Sequence, residues 1–237
     1  MYGCNFYQQI STDKMLAKKG RPYMGLDVAP KNEFQRLDMF ELPAGFRGRS
    51  APFVQFWWIV QTLIVKPLPQ ICYRIRRLLL RAFGAKIGAG VKIRPGVEIT
   101  YPWKVVIGDN SWIGDGVTLY SLGPISIGSH SVVSQNSYIC AADHDYSNVS
   151  FPIRARPVEL GDQVWIASDV WIGPGVKVAD GVVVGARSTV TKDLPAGTIC
   201  VGSPCKPIKR RIMKQNPENL HQSNEFAAPT QCPKHPI

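Results

Sequence analysis

The sequence has no apolar run long enough to cross a membrane, a span that takes about 18 to 20 residues. The longest candidate, residues 53–65, covers 13 positions and includes polar ones. Residues 1–11 lack the apolar core of a signal peptide. The six cysteines form neither a Cys-x-x-Cys pair nor a zinc-type spacing. We therefore expect buried, unpaired cysteines in a reducing, cytoplasmic compartment.

Acidic residues are also in the minority, with 17 Asp and Glu against 28 Lys and Arg and a net charge of +11. This excess predicts an anionic partner, such as acidic lipid or a phosphorylated ligand. The basic clusters at residues 74–81 and 206–214 do not alternate with aromatic residues as in a base-stacking surface. With no nucleic-acid module recognisable either, we predict no nucleic-acid partner.

What the sequence does contain is a six-residue repeat of aliphatic residues. The repeated positions are Ile87, Ile93, Ile99, Ile107, Ile113, Leu119, Ile127, Val133, Ile139, Leu160, Ile166, Ile172, Val178, Val184 and Val190. A hexapeptide repeat is typical of a parallel β-helix in which each hexad forms one side of a coil. Three hexads complete a coil of 18 residues, so the pattern predicts five coils.

Three interruptions break the repeat, each after a complete set of three hexads. Two are two residues long, Val105-Val106 and Ile125-Ser126, and the third covers residues 145–159. All three are therefore expected to leave the coil at the same edge. Insertions on one face of a solenoid often carry the binding site. His144 lies at the start of the long one.

The remaining sequence predicts four segments: a variable arm (1–42), a helical cap (43–84), the β-helix (85–205), and a basic segment with a tail (206–237). In the second cap helix, Ile71, Ile75 and Leu78 lie on one face and arginines lie on the other. The cap is expected to cover the open first coil. A compatible hypothesis is peripheral docking on an anionic membrane through the basic face and the Trp57-Trp58 pair.

Histidine is scarce, and only His130 and His144 lie within the repeats. His130 occupies a regular corner and is interpreted as structural. His144 is a candidate general base, since an imidazole can take a proton from a hydroxyl near neutral pH. The alternative is an ordinary loop histidine. A three-histidine zinc site, as on the β-helix of γ-class carbonic anhydrases, needs more imidazoles than the repeats supply, so no metal is predicted.

A second candidate site combines small residues and lysines near the end of the repeats. The segments are 185–188, 191–193 and 202–206. Small residues let a thin ligand approach the backbone, and lysines pair with phosphates. The same residues are equally consistent with coil corners and a basic surface, and spacing alone does not decide between these interpretations.

Several motifs resemble known enzymes. Trp165-Ile-Ala-Ser168, Gly173-Pro-Gly-Val176, Val184-Gly-Ala186, Val190-Thr-Lys-Asp-Leu-Pro195 and Gly202-Ser-Pro204 resemble the closing coils of hexapeptide-repeat O-acetyltransferases of the galactoside and maltose type. Gly45-Phe-Arg-Gly48, Trp57-Trp58, the stretch 79–88, Ile99-Thr-Tyr-Pro-Trp-Lys104 and Asp143-His144-Asp145 resemble the colanic acid biosynthesis acetyltransferases. The resemblance covers about residues 42–211.

The resemblance implies a left-handed β-helix, a homotrimer with active sites between subunits, and acetyl-CoA as co-substrate. It implies His144 as the base that activates a hydroxyl of a saccharide. Under the hypothesis of membrane docking, this saccharide would be linked to a lipid. The implied acceptor residues are Trp165, Asp143 and Asp145. The implied acetyl-CoA residues are Ser168, Ala186, Thr191, Lys192, Lys206 and Lys209.

The loop after His144 departs from the longer, histidine-rich loop of the galactoside enzymes. The resemblance therefore does not identify the acceptor. Transfer to an amine of a nucleotide sugar and a non-catalytic scaffold are the alternative functions.

Overall fold

The structure is a computed structural model that describes residues 34–214. The arm up to residue 33 and the tail from residue 215 lie outside the described residues. The predicted fold is confirmed: a left-handed parallel β-helix of hexapeptide repeats, preceded by a helical cap. All fifteen repeated aliphatic residues are buried in a single core.

Five complete coils each contribute one short strand to each of three sheets. The first coil comprises β1 (Lys86–Ile87), β2 (Lys92–Ile93) and β3 (Glu98–Ile99). The second comprises β4 (Val105–Ile107), β5 (Trp112–Ile113) and β6 (Thr118–Tyr120), and the third β7 (Ile125–Ile127), β8 (Val132–Val133) and β9 (Tyr138–Cys140). A hairpin of β10 (Ala142–His144) and β11 (Ile153–Ala155) follows. The fourth coil comprises β12 (Val158–Leu160), β13 (Trp165–Ile166) and β14 (Trp171–Ile172), and the fifth β15 (Lys177–Val178), β16 (Val183–Val184) and β17 (Thr189–Val190).

The chain ends in a partial sixth coil that the repeat count did not include. Leu194 bridges to Val178, and β18 (Thr198–Val201) pairs in parallel with β16. β19 (Lys206–Arg210) then pairs antiparallel with β18. The predicted basic segment therefore begins as a strand of the sheet.

The coils stack into a triangular prism with three sheets as its sides. The first sheet contains β1, β4, β7, β12 and β15; the second contains β2, β5, β8, β13, β16, β18 and β19; the third contains β3, β6, β9, β14 and β17. Turns at the edges use residues with positive φ, among them Asn110, Asn136 and His130 (φ 55°). Asparagine tolerates this conformation, which explains its recurrence at the corners. His130 is an exposed corner residue.

The interruptions leave the coils at one edge, where the third sheet meets the first, but their predicted positions were wrong. Val105 and Ile125 are not excursions, because they pair with each other inside β4 and β7. The extra residues come earlier, in a 3-10 turn at Pro102–Lys104 and in a turn at 121–124. The third excursion begins before residue 145 as β10 and ends before β12. Spacing counts extra residues but does not locate them within the hexad.

The cap consists of α1 (Ala51–Val60), a π-helical turn (Gln61–Val65) and α2 (Tyr73–Ala82). It covers the open first coil with one side-chain donor for each strand. Trp57 Nε1 donates to the carbonyl of Ile99 in β3 at 2.9 Å, and Arg76 Nη1 donates to that of Ile93 in β2 at 2.6 Å. Arg81 Nε donates to the carbonyl of Ile87 in β1 at 3.0 Å. The donors satisfy an edge that would otherwise carry unpaired backbone groups.

This arrangement corrects the predicted orientation of α2. Arg76, Arg77 and Arg81 point toward the coil and donate to its carbonyls, and Arg76 is fully buried. The apolar residues Ile71, Ile75 and Leu78 are exposed instead. Hydrophobic patterning assumes an apolar partner, whereas the end of a coil presents carbonyl oxygens. Among residues 34–214, no helix is long and apolar enough to cross a membrane.

Candidate active site

His144 lies on a β-hairpin that projects from the third–first edge of the prism. β10 and β11 pair antiparallel, with His144 opposite Ile153 and Asp143 opposite Arg154. The base of the hairpin packs on Tyr101, which starts the first of the earlier excursions at this edge, and on Leu122, which lies within the second. The three interruptions of the repeat therefore build a single support for this histidine.

The imidazole of His144 is held in one orientation by the loop that closes the hairpin. Its Nδ1 lies 2.9 Å from the carbonyl oxygen of Phe151. A carbonyl only accepts, so Nδ1 carries the proton and Nε2 keeps a lone pair. The ring stacks on that of Phe151, with centroids 4.3 Å apart and planes 9° apart. Phe40 of the N-terminal segment lies 6.0 Å away, centroid to centroid. This tautomer is the one that a general base acting through Nε2 requires.

Asp143, predicted to contact substrate, is already paired within the hairpin. Arg154 binds its carboxylate in a bidentate manner at 2.8 and 3.0 Å, and Arg156 Nη1 lies 3.4 Å away. The hydrogen bond from Arg154 is the main cause of a lowered pKa of Asp143. This carboxylate is therefore ionised at neutral pH and ties β10 to β11 beside His144.

Replacing Arg154 by glutamine is expected to increase amide exchange in the hairpin only a few-fold at pH 7, because a partly exposed ion pair stabilises weakly. The folded pKa of Asp143 lies below its ordinary 3.8. Its pairing therefore stabilises the hairpin above that value and is lost as the pH falls through the folded pKa. When the pH is lowered below about 4, the protection factors of the wild-type hairpin should decrease, and those of the variant should decrease much less. Arg156→Gln, which removes only the longer contact, is the control. Equal wild-type and Arg154→Gln protection at pH 7 would contradict this role.

Asp145 folds back on its own turn. Its Oδ1 accepts a hydrogen bond from the backbone N–H of Ser147 at 3.1 Å and a second from the Ser147 hydroxyl. These bonds lower its pKa. A substrate contact for Asp143 or Asp145 stays a prediction. Each carboxylate would have to bind substrate in addition to its present hydrogen-bond partners in the hairpin, or in place of them.

Ser168 and Ala186 lie together at a different edge, where the second sheet meets the third. They occupy the same corner of the fourth and fifth coils, and the residue after Ala186 donates its N–H to the carbonyl of Ser168 at 3.0 Å. Ser168 is half-buried and Ala186 is exposed. Both side chains are small, so a thin ligand could approach the backbone at this corner.

Thr191 and Lys192 are exposed on the third–first edge, which is the edge that carries the hairpin. They follow β17 in the fifth coil, while the hairpin leaves between the third and fourth coils. Lys206 and Lys209 lie exposed on β19, at the end of the second sheet. The predicted acetyl-CoA residues thus belong to three separate places in one chain.

Trp165 lies on the outer face of the second sheet, between Val132 and Val183. Its Nε1 donates to the hydroxyl of Ser134 at 3.1 Å, and 48% of the residue is exposed. In a triangular prism, this sheet is opposite the edge that carries His144. One chain therefore does not bring Trp165 and His144 together.

Sequence reasoning missed Phe40, Phe151 and Arg154, which contact His144, and Arg156, which pairs with the neighbouring Asp143. A usable signal was present in the basic residues of 153–156, which alternate with small or apolar ones as in a short strand. Among the described residues, no group of three or more His, Cys, Asp or Glu could hold a metal ion.

A left-handed hexapeptide-repeat prism that carries a histidine on a hairpin defines the class of hexapeptide-repeat acetyltransferases. A solved maltose O-acetyltransferase from Clostridium difficile 630 matches with a TM-score of 0.63 and 27% identity, covering 69% of this chain and 90% of that one. A galactoside acetyltransferase in complex with coenzyme A matches in fold, with a TM-score of 0.64 and 24% identity over 73% of this chain and 85% of that one. No protein-family model matches the chain.

The particular family follows from a relative in Escherichia coli K12. The chain is 53% identical over 178 residues to the protein named "Putative colanic acid biosynthesis acetyltransferase WcaF", covering 75% of this chain and 98% of that protein. The chain belongs to this family of acetyltransferases.

Proposed function

We propose that this protein transfers the acetyl group of acetyl-CoA to a hydroxyl of a saccharide used in exopolysaccharide biosynthesis. The observation that carries the proposal is the His144 imidazole, whose Nδ1 is engaged by the Phe151 carbonyl. Its Nε2 is therefore available to accept a proton. The name of the E. coli relative supports the colanic-acid-like pathway. The unpaired cysteines among the described residues agree with a cytoplasmic location.

The transfer proceeds in one displacement without a covalent enzyme intermediate. Nε2 of His144 takes the proton of the acceptor hydroxyl while the oxygen attacks the carbonyl carbon of the thioester. The new C–O bond forms, the tetrahedral intermediate collapses, and the C–S bond breaks. The CoA sulfur leaves with the electron pair and receives the proton from the imidazolium. The products are an O-acetylated saccharide and free CoA thiol.

The site is proposed to form between copies of a homotrimer, because each chain carries its parts on different edges. His144, Thr191 and Lys192 belong to the third–first edge, and Ser168 and Ala186 belong to the second–third edge. A threefold axis parallel to the long axis of the prism keeps each residue at the same level along that axis in every copy. The hairpin leaves next to the fourth coil, which holds Ser168, and Thr191 follows the fifth, which holds Ala186. One copy's third–first edge therefore matches its neighbour's second–third edge level by level.

The third sheet, which lies between these two edges, supports this packing. Its outer face carries Tyr120 and Tyr138, whose ring centroids are 5.9 Å apart, and Trp171, which is 37% exposed. Burial raises the pKa of Tyr138 to about 12, so its hydroxyl stays neutral. Aromatic residues of this kind are enriched in protein interfaces.

The function is tested by incubating the protein with acetyl-CoA and a panel of neutral and amino sugars, nucleotide sugars and oligosaccharides. Release of free CoA thiol that depends on a hydroxyl acceptor, with an O-acetyl ester in the product, is expected. An amide product formed only with amino sugars would replace this proposal by N-acetyl transfer. Failure to bind acetyl-CoA in a thermal-shift titration would favour the scaffold alternative.

A further inference from the structure

We infer that the outer face of the helical cap docks on an anionic membrane surface. The cap outer face is defined by seven exposed apolar residues: Phe56, Ile59, Leu63 and Ile64 on α1 and its π-helical extension, and Ile71, Ile75 and Leu78 on and before α2. Their exposed fractions range from 45% for Ile64 to 85% for Ile71. An exposed apolar surface of this extent marks an interaction site.

The orientation of the cap places these residues at the far end of the prism. Both helices turn their other face to the first coil, through Trp57 and Val60 on α1 and through Arg76 and Leu80 on α2. The cap outer face therefore points away from the coils. No described residue of the β-helix is left to cover it.

The spacing on α2 makes the surface continuous along the helix. Ile75 and Leu78 are three residues apart on α2, which keeps them on one face, and Ile71 lies exposed in the turn just before the helix. Arg74 is exposed next to this face. An apolar surface with a basic residue at its border is the arrangement of helices that lie in a membrane interface.

The charge of the segment selects an anionic surface as the partner. Residues 42–97 contain ten Lys and Arg and no Asp or Glu. Among the described residues, only Lys66 and Arg94 of these ten form ion pairs, with Glu98 and Asp115. A second copy of the chain docked end to end would therefore face the same positive charge. Each basic residue near an anionic leaflet is attracted to it, and the apolar residues add insertion.

The proposed trimer would strengthen this contact without being required for it. A threefold axis parallel to the long axis of the prism places the three cap outer faces at the same end of the assembly. Three linked contacts raise the apparent affinity through effective concentration. The acetyl-transfer edges run along the sides of the prism, so membrane docking would leave them open.

The test is flotation of the full chain with phosphatidylcholine vesicles that either contain or lack phosphatidylglycerol. The wild type is expected to float with the anionic vesicles and to bind the neutral ones at least tenfold more weakly. The double variant Leu63→Gln/Leu78→Gln, which changes two side chains of the cap outer face, is expected to lose binding at least tenfold. Glutamine keeps helix propensity, and both positions are exposed, so folding is preserved. Arg74→Gln should weaken binding by a smaller factor.

The matched control is Ile212→Gln/Met213→Gln, which removes two apolar side chains that follow β19, away from the cap, and are at least as exposed as Leu63 and Leu78. It should bind as the wild type does. Failure of the wild type to float with anionic vesicles would overturn the inference, as would equal flotation of the Leu63/Leu78 variant. Equal binding to neutral vesicles would overturn the choice of an anionic surface. Because CoA release on soluble acceptors is measured without vesicles, failure of docking and failure of acetyl transfer are separate results.

Discussion

His144→Ala is expected to lower kcat for acetyl transfer by about 10²- to 10⁴-fold, the range for loss of a positioned general base. The Nδ1–Phe151 hydrogen bond fixes the tautomer in which Nε2 accepts the proton. Alanine leaves the backbone pairing of His144 with Ile153 intact, so the hairpin should persist. The measurement is the initial rate of CoA thiol release. Acetyl-CoA affinity, measured separately, should be unchanged.

His130→Asn is the matched control, because His130 is an exposed corner residue at φ 55° and asparagine tolerates that conformation. It should retain wild-type kcat. A fall of less than tenfold in the His144→Ala variant would remove this imidazole from the chemistry. A parallel fall in both variants would point to a loss of folding and would be visible in thermal unfolding.

Complementation between two inactive variants tests whether His144 acts across a subunit boundary. Ala186→Trp places a bulky side chain on the second–third edge and is expected to block acetyl-CoA. Co-expression with His144→Ala creates interfaces that pair an intact hairpin with an intact edge, so activity should return. Co-expressed variants that stay inactive would show that the two residues must come from the same chain.

The core could be predicted from the sequence because each buried residue of a coil occupies the same position in every hexad. Ile93, Ile113 and Val133 stack in one row. Each follows the one before by three hexads and one short interruption, so counting residues is enough to place them. The partial sixth coil was missed because its strand β18 follows a turn with proline and glycine that breaks the hexad. Counting in hexads predicts a strand only while the turns between strands keep the same length, so it does not predict β18.

The candidate site was predicted only in part. His144 was found because it starts an insertion, whereas its partners Phe151 and Arg154 come from the returning strand of a hairpin. Their pairing depends on register, which the sequence of the loop does not reveal. Hexad counting does place His144 and Ser168 at different edges, and the resemblance accounts for that separation by implying active sites between subunits.

The cap shows why an amphipathic pattern can be assigned to the wrong side. α2 turns Arg76, Arg77 and Arg81 inward because the first coil ends in carbonyl groups that need donors. Burial lowers the pKa of Arg76, a sign of its desolvation, and backbone carbonyls replace the lost water. The guanidinium is suited to this position because one planar group can reach several acceptors.

Arg76→Ala is therefore expected to destabilise the fold by about 3–5 kcal/mol, because each buried carbonyl left without its donor costs about 1–3 kcal/mol. Its Nε and Nη1 donate to the carbonyls of Val65 (3.3 Å) and Ile93 (2.6 Å), and Nη2 donates to that of Leu68. The truncation leaves these carbonyls without their donor and opens a cavity under the cap. Thermal unfolding followed by circular dichroism measures the loss, and the unfolding temperature is expected to fall by about 6–20 °C for a chain of this size.

Arg74→Ala is the matched control on the same helix, where an exposed arginine should change stability by less than about 0.5 kcal/mol. Arg76→Lys should lie between the two, since an ammonium reaches fewer of the carbonyls than the guanidinium does. If Arg76→Ala unfolds at the wild-type temperature, then the cap does not depend on carbonyl capping. The exposure of Ile71, Ile75 and Leu78 would then need another cause, because the inward arginines are what turn that stripe outward.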